Sequence, residues 1–499
     1  MLRDKQKLVL GLAAFVLGIG VVLAHRPWSQ IEVGDEAIWD YVSQTIARGK
    51  VPYRDVVEIK TPLSAYMGAV AILGGKLVGL RDVIAIRALH VLMAGLLSAI
   101  TFLVGEWWFE NRLGASIGFL VPLASWHFAE WMSAGSEPKL PMTLFGMLSL
   151  LLIAKDRPWW AGFCSMLSCL CWQPGLLFTG AVLLAASNYL TTWRDGRGLR
   201  VVAGAVVPLA ILLAYFFNAG ALSDLWNWTI HYNYSVYAHE RVRTSGDSLL
   251  HFWRVLLRVF GFGIVLVAIS VVGLVMFGIE RVRCRIRKAG SERETVRDVL
   301  LIPPLVYLGF CLLNFQSGPD LIPFFPFIGL FAGWFFVQTS ELISVRSITR
   351  YTVRSIPKLW LSSALVIILA LIAHGSLRSA FDYRPVLHDQ ERAFEAISSR
   401  LAPGDRIYVH GTSEILVLLN RANMNPYLFL DRGKDDYIAR KSGEEFGRVV
   451  DQMELEAPKI VALSRLAKVA HRAELEDWAR AHYDRLDVPG YDGIYIRRQ

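Results

Sequence analysis

The sequence predicts a polytopic α-helical membrane protein of about 11 transmembrane helices, closed by a small α/β domain outside the bilayer. Three observations carry that reading. Hydrophobic residues make up 54% of 499 positions, with 16 Trp among them, a composition that belongs to a chain solvated mainly by lipid. Apolar runs long enough to approach the roughly 20 residues of a span recur from residue 8 to residue 378. Beyond about 380 the apolar runs stop, and short β-rich segments alternate with polar, helix-like ones.

The candidate spans lie near 8 to 24, 64 to 80, 84 to 105, 112 to 131, 138 to 154, 158 to 173, 174 to 190, 199 to 217, 254 to 280, 298 to 314, 321 to 340 and 358 to 378. The run 8 to 24 exceeds the usual length of a signal-peptide core and is kept as a membrane helix. Arg3, Lys5 and Lys7 hold the N-terminus in the cytoplasm. Three basic clusters follow: Arg194/Arg197/Arg200, Arg281/Arg283/Arg285/Arg287/Lys288 and Arg346/Arg350/Arg354/Lys358. If all twelve runs spanned, each cluster would fall outside, against the positive-inside rule. Removing one early span corrects all three. The weakest is 64 to 80, SAYMGAVAILGGKLVGL, which is Gly-rich and carries Lys76, and it is expected to lie in the outer interface.

Eleven spans result, with the N-terminus inside and the C-terminus outside. The expected division is a membrane module over 1–379, whose first external loop is 25–83, and an external α/β domain over 380–499. In that domain RIYVH (406 to 410), PYLFL (426 to 430), PKIVAL (458 to 463) and GIYIR (493 to 497) read as strands, and 388 to 400, 443 to 455 and 465 to 482 read as helices.

The formal charge of +9 sits in short clusters between apolar runs, so it marks topology and argues against nucleic acid. Four of the five Cys lie in apolar runs and none in the polar tail, which leaves no disulfide framework or C-x-x-C metal site. No dinucleotide-binding or Walker pattern is found.

Chemistry concentrates where the chain leaves the first span, in IEVGDEAIWDYVSQTIARGKVPYRDVVEIKTPL (31 to 63). Asp35 stands at a helix N-cap position and Glu36 in the first turn, with Ile38, Tyr41, Val42 and Ile46 at helical spacing before Gly49. Capping alone would account for Asp35, and neutralising Glu58 or meeting lipid head groups would account for Lys60. Glu137 falls in a second external turn beside Lys139, Arg87 at the outer end of a span, and Arg54 in the P-Y-R-D segment. The external loop 218 to 253 carries LWNWTIHYNYSVYAHER; Trp226, His231 and Tyr234 there are candidate substrate contacts, or an interfacial aromatic belt.

The order of these elements, D-E opening an external helix, then G-x-x-P-Y-R-D, then K-T-P-L, resembles the first external loop of the GT-C glycosyltransferases, nearest the protein O-mannosyltransferase and lipid A aminoarabinose transferase group. The resemblance covers roughly residues 8 to 190. It implies a polyprenyl-phosphate sugar donor, a glycan, lipid or protein acceptor, contact with membrane lipids, and an active site on the outer face of a prokaryotic cytoplasmic membrane. It implies Asp35 as the carboxylate that deprotonates or orients the acceptor, with Glu36 and Glu137 as neighbouring acids, and it places Lys60, Arg87 or Arg54 at the donor phosphate. Thr61 replaces the first Pro of the family's K-P-P-L element, Gln173 stands where relatives often carry Lys, and Asp320 falls where many carry a His-Tyr pair. The sequence identifies no certain cofactor and leaves a divalent metal open. A transporter or flippase of lipid-linked substrates would also use about eleven spans, but it would place paired charges within them; an inactive relative that only binds lipid-linked sugar is the third reading.

Overall fold

Helices α1 (Leu2–Ala24), α2 (Gly34–Ala47), α3 (Leu63–Leu77), α4 (Asp82–Phe109), α5 (Arg112–Leu123), α6 (Trp126–Ala134), α7 (Lys139–Ala154), α8 (Pro158–Cys171), α9 (Leu176–Ala186) and α10 (Arg197–Asn218) follow one another in a computed structural model. It describes residues 2–187, 196–239, 245–286, 292–346, 356–381, 386–442, 447–466, 469 and 472–498. Several residues of the three basic clusters, among them Arg194, Arg287, Lys288, Arg350 and Arg354, lie outside the described residues.

Among the described residues seven helices are long and apolar enough to cross a membrane: Lys5–Ala24, Asp82–Phe109, Arg197–Asn218, Gly246–Cys284, Thr295–Asn314, Gly318–Leu342 and Leu359–Ser379. Counting α6 and α7, bent by 110°, as one broken span gives eight. The count of eleven is not reproduced by length and composition. The expected spans near 112, 138, 158 and 174 are α5, α7, α8 and α9, of 12, 16, 14 and 11 residues, and at 1.5 Å per residue they rise only roughly 17–24 Å against a core of about 30 Å. A sliding reading of the apolar runs merges such short helices with their flanks.

The protein is an integral membrane protein with an apolar exterior. Leu8, Val9, Leu12 and Val16 on α1 and Ile211, Leu213 and Phe217 on α10 are exposed, a surface that lipid solvates and water does not. Inside, Trp108 stacks on Trp334 at 5.6 Å and 8° and meets Phe277 edge-on at 4.7 Å. Helix α3, at 15 residues, turns Ser64, Ala65, Gly68, Ala69, Ile72 and Gly75 inward and leaves Val70, Leu73 and Leu77 exposed. A Cβ on Gly68 would lie 2.3 Å from Ser43 Oγ, so glycine is what allows α3 to approach α2 this closely.

The tail forms a four-stranded sheet ordered β1-β2-β4-β3, where β1 is Ile407–His410, β2 Ile460–Leu463, β3 Tyr483–Arg485 and β4 Ile494–Arg497. Strands β1 and β2 are parallel and the other pairings antiparallel. Three of the four expected strands are present. The fourth, PYLFL, is not a strand: Pro426 O accepts from Val57 N (2.9 Å) and Leu428 O from Gly411 N (2.9 Å), so this segment links the tail to the loop between α2 and α3 rather than joining the sheet. Sequence reading also missed β3 and the helices Ser413–Leu418 and Lys434–Ser442. One apolar cluster unites Leu387, Phe394, Ile407, Val409, Leu416 and Ile460 of the tail with Tyr41, Val42, Val56 and Val83. The tail's core therefore continues into α2 and the N-terminal end of α4, and that continuity positions the site.

Candidate active site

The bend between α6 and α7 begins at Gly135, whose φ of +143° is open to glycine and strained for other residues. It brings Ser136 N to 3.2 Å from Asp40 Oδ1 and Glu137 N to 3.1 Å from His90 Nε2. Glu137 Oε1 then lies 3.0 Å from Lys139 Nζ, which is also 3.5 Å from Asp320. Asp320 Oδ2 accepts from Gln316 N (2.6 Å) and Ser317 N (3.2 Å), closing the N-terminus of its helical turn.

Ahead of α3 the segment 58–61 is fastened from several sides. Glu58 Oε1 accepts from Ile59 N and Lys60 N, Tyr53 Oη donates to Lys60 O, and Thr61 Oγ1 donates to Cys169 O. Gln173 Nε2 and Asn233 Nδ2 both donate to Ile59 O, at 2.8 and 2.7 Å. Gln173 thus positions the backbone beside Lys60. The result is a Lys60 ammonium 3.6 Å above the Trp39 ring, with no hydrogen bond and no ion pair among the described residues. Burial and the neighbouring Lys139 lower its pKa, against Glu137, Asp35 and Glu58.

Lys60 and Asp35 face a cavity of about 240 Å³. Its floor is Asp35, Ile38, Trp39, Val57, Glu58, Ile59 and Lys60; its roof is Phe429, Asp431, Arg432, Lys434 and Arg465 of the tail; Tyr237 and Gln316 close one side. Asp35 is in the first turn of α2, whose N-cap is Val33 with no side-chain cap bond. The carboxylate is not used as a cap, and among the described residues it makes no hydrogen bond and no ion pair. Burial alone would raise its pKa; Lys60, Lys139, Arg432 and Arg465 outweigh that and hold it below the usual carboxylate range. Asp35 is therefore ionised at neutral pH and faces cations.

Glu36 points the other way, into a second cavity of about 390 Å³ with His25, Arg26, Glu130 and Trp131. Burial first, then Glu137 and Asp35, push its pKa up to about 8. The protonated form therefore prevails at neutral pH, and the two consecutive acids take opposite states. Linkage fixes the sign of the consequence. With about 4.5 unfolded and about 8 folded, the native state binds more protons between those values, so stability falls as pH rises through that window. Denaturation in detergent from pH 5 to 8 is expected to show that decline, and Glu36→Gln, which stays neutral, to make it shallower. An unchanged slope would contradict the assignment.

Arg87, Glu32 and Asp40 form a buried cluster behind α2. Arg87 Nη1 donates to Pro27 O (2.9 Å) and Gln30 O (2.7 Å), and Nη2 to Ile31 O (3.3 Å) and Glu32 Oε2 (2.8 Å). Arg87 and Glu32 are both 0% exposed. Burial raises the pKa of both Glu32 and Asp40, against the pull of Arg87. Glu32 Oε1 and Asp40 Oδ2 have no donor, and a proton held between them satisfies both.

Of the residues expected at the site, then, Asp35 and Lys60 meet across one cavity, Glu36 opens onto the other, and Glu137 lies behind Trp39 on Lys139. Arg87 is enclosed at the base of the loop. Arg54, 46% exposed and paired with Asp55 at 3.1 Å, lines a separate cavity of about 210 Å³ with Asp224 and Trp228. Trp226 and Tyr234 are 60% and 80% exposed and His231 Nδ1 lies 3.0 Å from Tyr437 Oη; none of the three lines the 240 Å³ cavity, where Tyr237 stands instead. Sequence reading missed Trp39, Tyr237, Gln316 and the whole roof, because D-R-G-K-D-D (431 to 436) reads as a solvated turn. Among the described residues no three His, Cys, Asp or Glu side chains converge in metal-ligand geometry.

No protein-family model matches the sequence, and no curated protein matches it. The fold, however, is similar to solved structures. ArnT from Cupriavidus metallidurans bound to undecaprenyl phosphate has a TM-score of 0.61 at 13% identity, covering 98% of this chain and 97% of that one. Its apo state gives 0.62 at 13%, over 94% and 95%. Archaeal oligosaccharyltransferase AglB from Archaeoglobus fulgidus, in complex with an inhibitory peptide and a dolichol-phosphate, gives 0.56 at 12%, over 94% and 71%.

Proposed function

Because the chain has the GT-C fold, we propose that it is a glycosyltransferase that moves a sugar from a polyprenyl-phosphate carrier to an acceptor hydroxyl at the outer face of the cytoplasmic membrane. The observation that carries this is an Asp35 carboxylate and a Lys60 ammonium that face one cavity, neither with a hydrogen bond or ion pair among the described residues. Asp35 takes the acceptor proton as the hydroxyl oxygen bonds to the sugar's anomeric carbon. The bond from that carbon to the phosphate oxygen breaks, and polyprenyl phosphate leaves with the electron pair. Lys60, held over Trp39, stabilises the charge that grows on that phosphate. Arg87 acts indirectly, by holding the backbone from Pro27 to Glu32 and so the start of α2. The N-terminus is inside and the C-terminus outside, with the cavity on the periplasmic side.

Membranes containing the protein, given a panel of radiolabelled polyprenyl-phosphate hexoses and pentoses with membrane extract as acceptor source, are expected to transfer label and release polyprenyl phosphate. Failure of every donor to release the carrier would count against the reading. Lys60→Ala should weaken donor use about tenfold to a hundredfold, since a charge-assisted contact to an anion contributes roughly 1.5–3 kcal/mol. Unchanged donor KM and kcat in this variant would move the phosphate to the roof cations.

A further inference from the structure

We propose that the roof of the cavity is a second oxyanion site, formed by Arg432, Lys434 and Arg465, which binds a carboxylate or phosphate group carried by the acceptor. This deepens the glycosyl-transfer reading and rests on it. The roof is the carboxyl edge of the parallel pair β1 and β2, whose last residues, His410 and Leu463, stand side by side. Arg465 follows β2 by two residues. The Phe429–Asp431 segment is tied to the end of β1 through Gly411 N to Leu428 O (2.9 Å) and Leu430 N to His410 Nε2 (2.9 Å). Crevices outside the carboxyl ends of parallel strands are where open α/β sheets take ligands.

The backbone supports a binding role. Arg432 and Arg465 both adopt left-handed conformations, with φ of +59° and +55°, which are uncommon for residues with long side chains and cluster at ligand sites. Both are held with their side chains on the cavity. Arg432 Nη1 donates to Tyr237 Oη at 2.6 Å, and Arg465 lies 5.6 Å from the Phe429 ring centre.

One carboxylate, Asp431, serves both Arg432 (3.6 Å) and Lys434 (3.8 Å), while Arg465 makes no ion pair or hydrogen bond among the described residues. The roof is left positive. A carrier phosphodiester bears one charge and is met by Lys60 on the floor. Arg465 is on the exposed face of the tail, open to a ligand arriving from water. Asp35 and Glu58 on the floor offset part of the roof charge, and the exposed Arg465, which no carboxylate pairs among the described residues, suits an anion on the acceptor.

The test uses the full chain in detergent, loaded with undecaprenyl phosphate and titrated calorimetrically with inorganic phosphate, glucuronate and, as a neutral control, glucose. At least one of the two anions is expected to bind saturably to the loaded protein, with glucose not binding. Arg465→Gly removes the guanidinium and suits the left-handed backbone, so it should fold at least as well; it is expected to weaken the anion on the order of tenfold or more, with Arg465→Lys between. Its affinity for undecaprenyl phosphate should be unchanged. The proposal is overturned if neither anion binds, if binding survives Arg465→Gly intact, or if carrier and anion compete, which would assign the roof to the donor phosphate. Failure of the carrier itself to bind counts against the glycosyl-transfer reading instead, and the same titrations on unloaded protein then decide the roof site by themselves.

Discussion

Asp35→Asn is expected to lower the rate of transfer on the order of 10²-fold to 10⁴-fold while the protein stays folded. Asn keeps the size of the side chain and loses the basic oxygen. The usual objection, that the substitution removes a helix cap, does not apply, because α2 has no side-chain cap bond. Among the described residues the carboxylate makes no hydrogen bond or ion pair; what Asn gives up is its attraction to Lys60, Lys139, Arg432 and Arg465, so the fall in stability at neutral pH should be small beside the loss of rate, and should vanish as the pH drops through the native pKa of Asp35. Rate and thermal denaturation measured on the same detergent preparation separate the two. Near-normal transfer by Asp35→Asn would remove the base from this position.

Arg87→Leu is expected to cost roughly 3–5 kcal/mol of stability, the range for removing one partner of a buried ion pair. Arg87 and Glu32 are shielded from water on all sides, and three carbonyls of the loop entering α2 accept from the guanidinium. Losing it leaves Glu32 and Asp40 sharing a buried space without a cation, and loosens the backbone that aims Asp35. The predicted signature is a fall in denaturation midpoint together with a fall in kcat. A variant of unchanged stability with a raised donor KM would place Arg87 at the donor phosphate instead.

Asp35 and Lys60 were legible as candidates in the sequence because each stands in a short ordered pattern, D-E at the start of α2 and K-T-P-L before the next apolar run. The basic residue of that pattern needed only its neighbours to be read. Arg87 was also singled out, but its burial depends on how the chain 27–32 folds back over α4, which no local pattern encodes. The roof was invisible for a related reason. Arg432 and Arg465 are remote from Asp35 in sequence, and each is locally an ordinary charged turn residue; only docking of the tail core onto Tyr41, Val42 and Val56 brings them over the cavity. The span count shows a different limit. The apolar stretches are where the sequence puts them, yet α5, α7, α8 and α9 are short helices broken at Ser125, Gly135 and Gln173. A break of one or two residues changes the direction of the chain and hardly alters the apolar character of the stretch around it.

The carrier released in the proposed reaction is the same whichever sugar is moved, so its binding tests the account without knowledge of donor or acceptor. Equilibrium binding of labelled undecaprenyl phosphate to the purified protein should be saturable, exceed that of a phosphatidylglycerol control, and weaken about tenfold or more in Lys60→Ala. Binding no stronger than the control, or equal in wild type and Lys60→Ala, would contradict it.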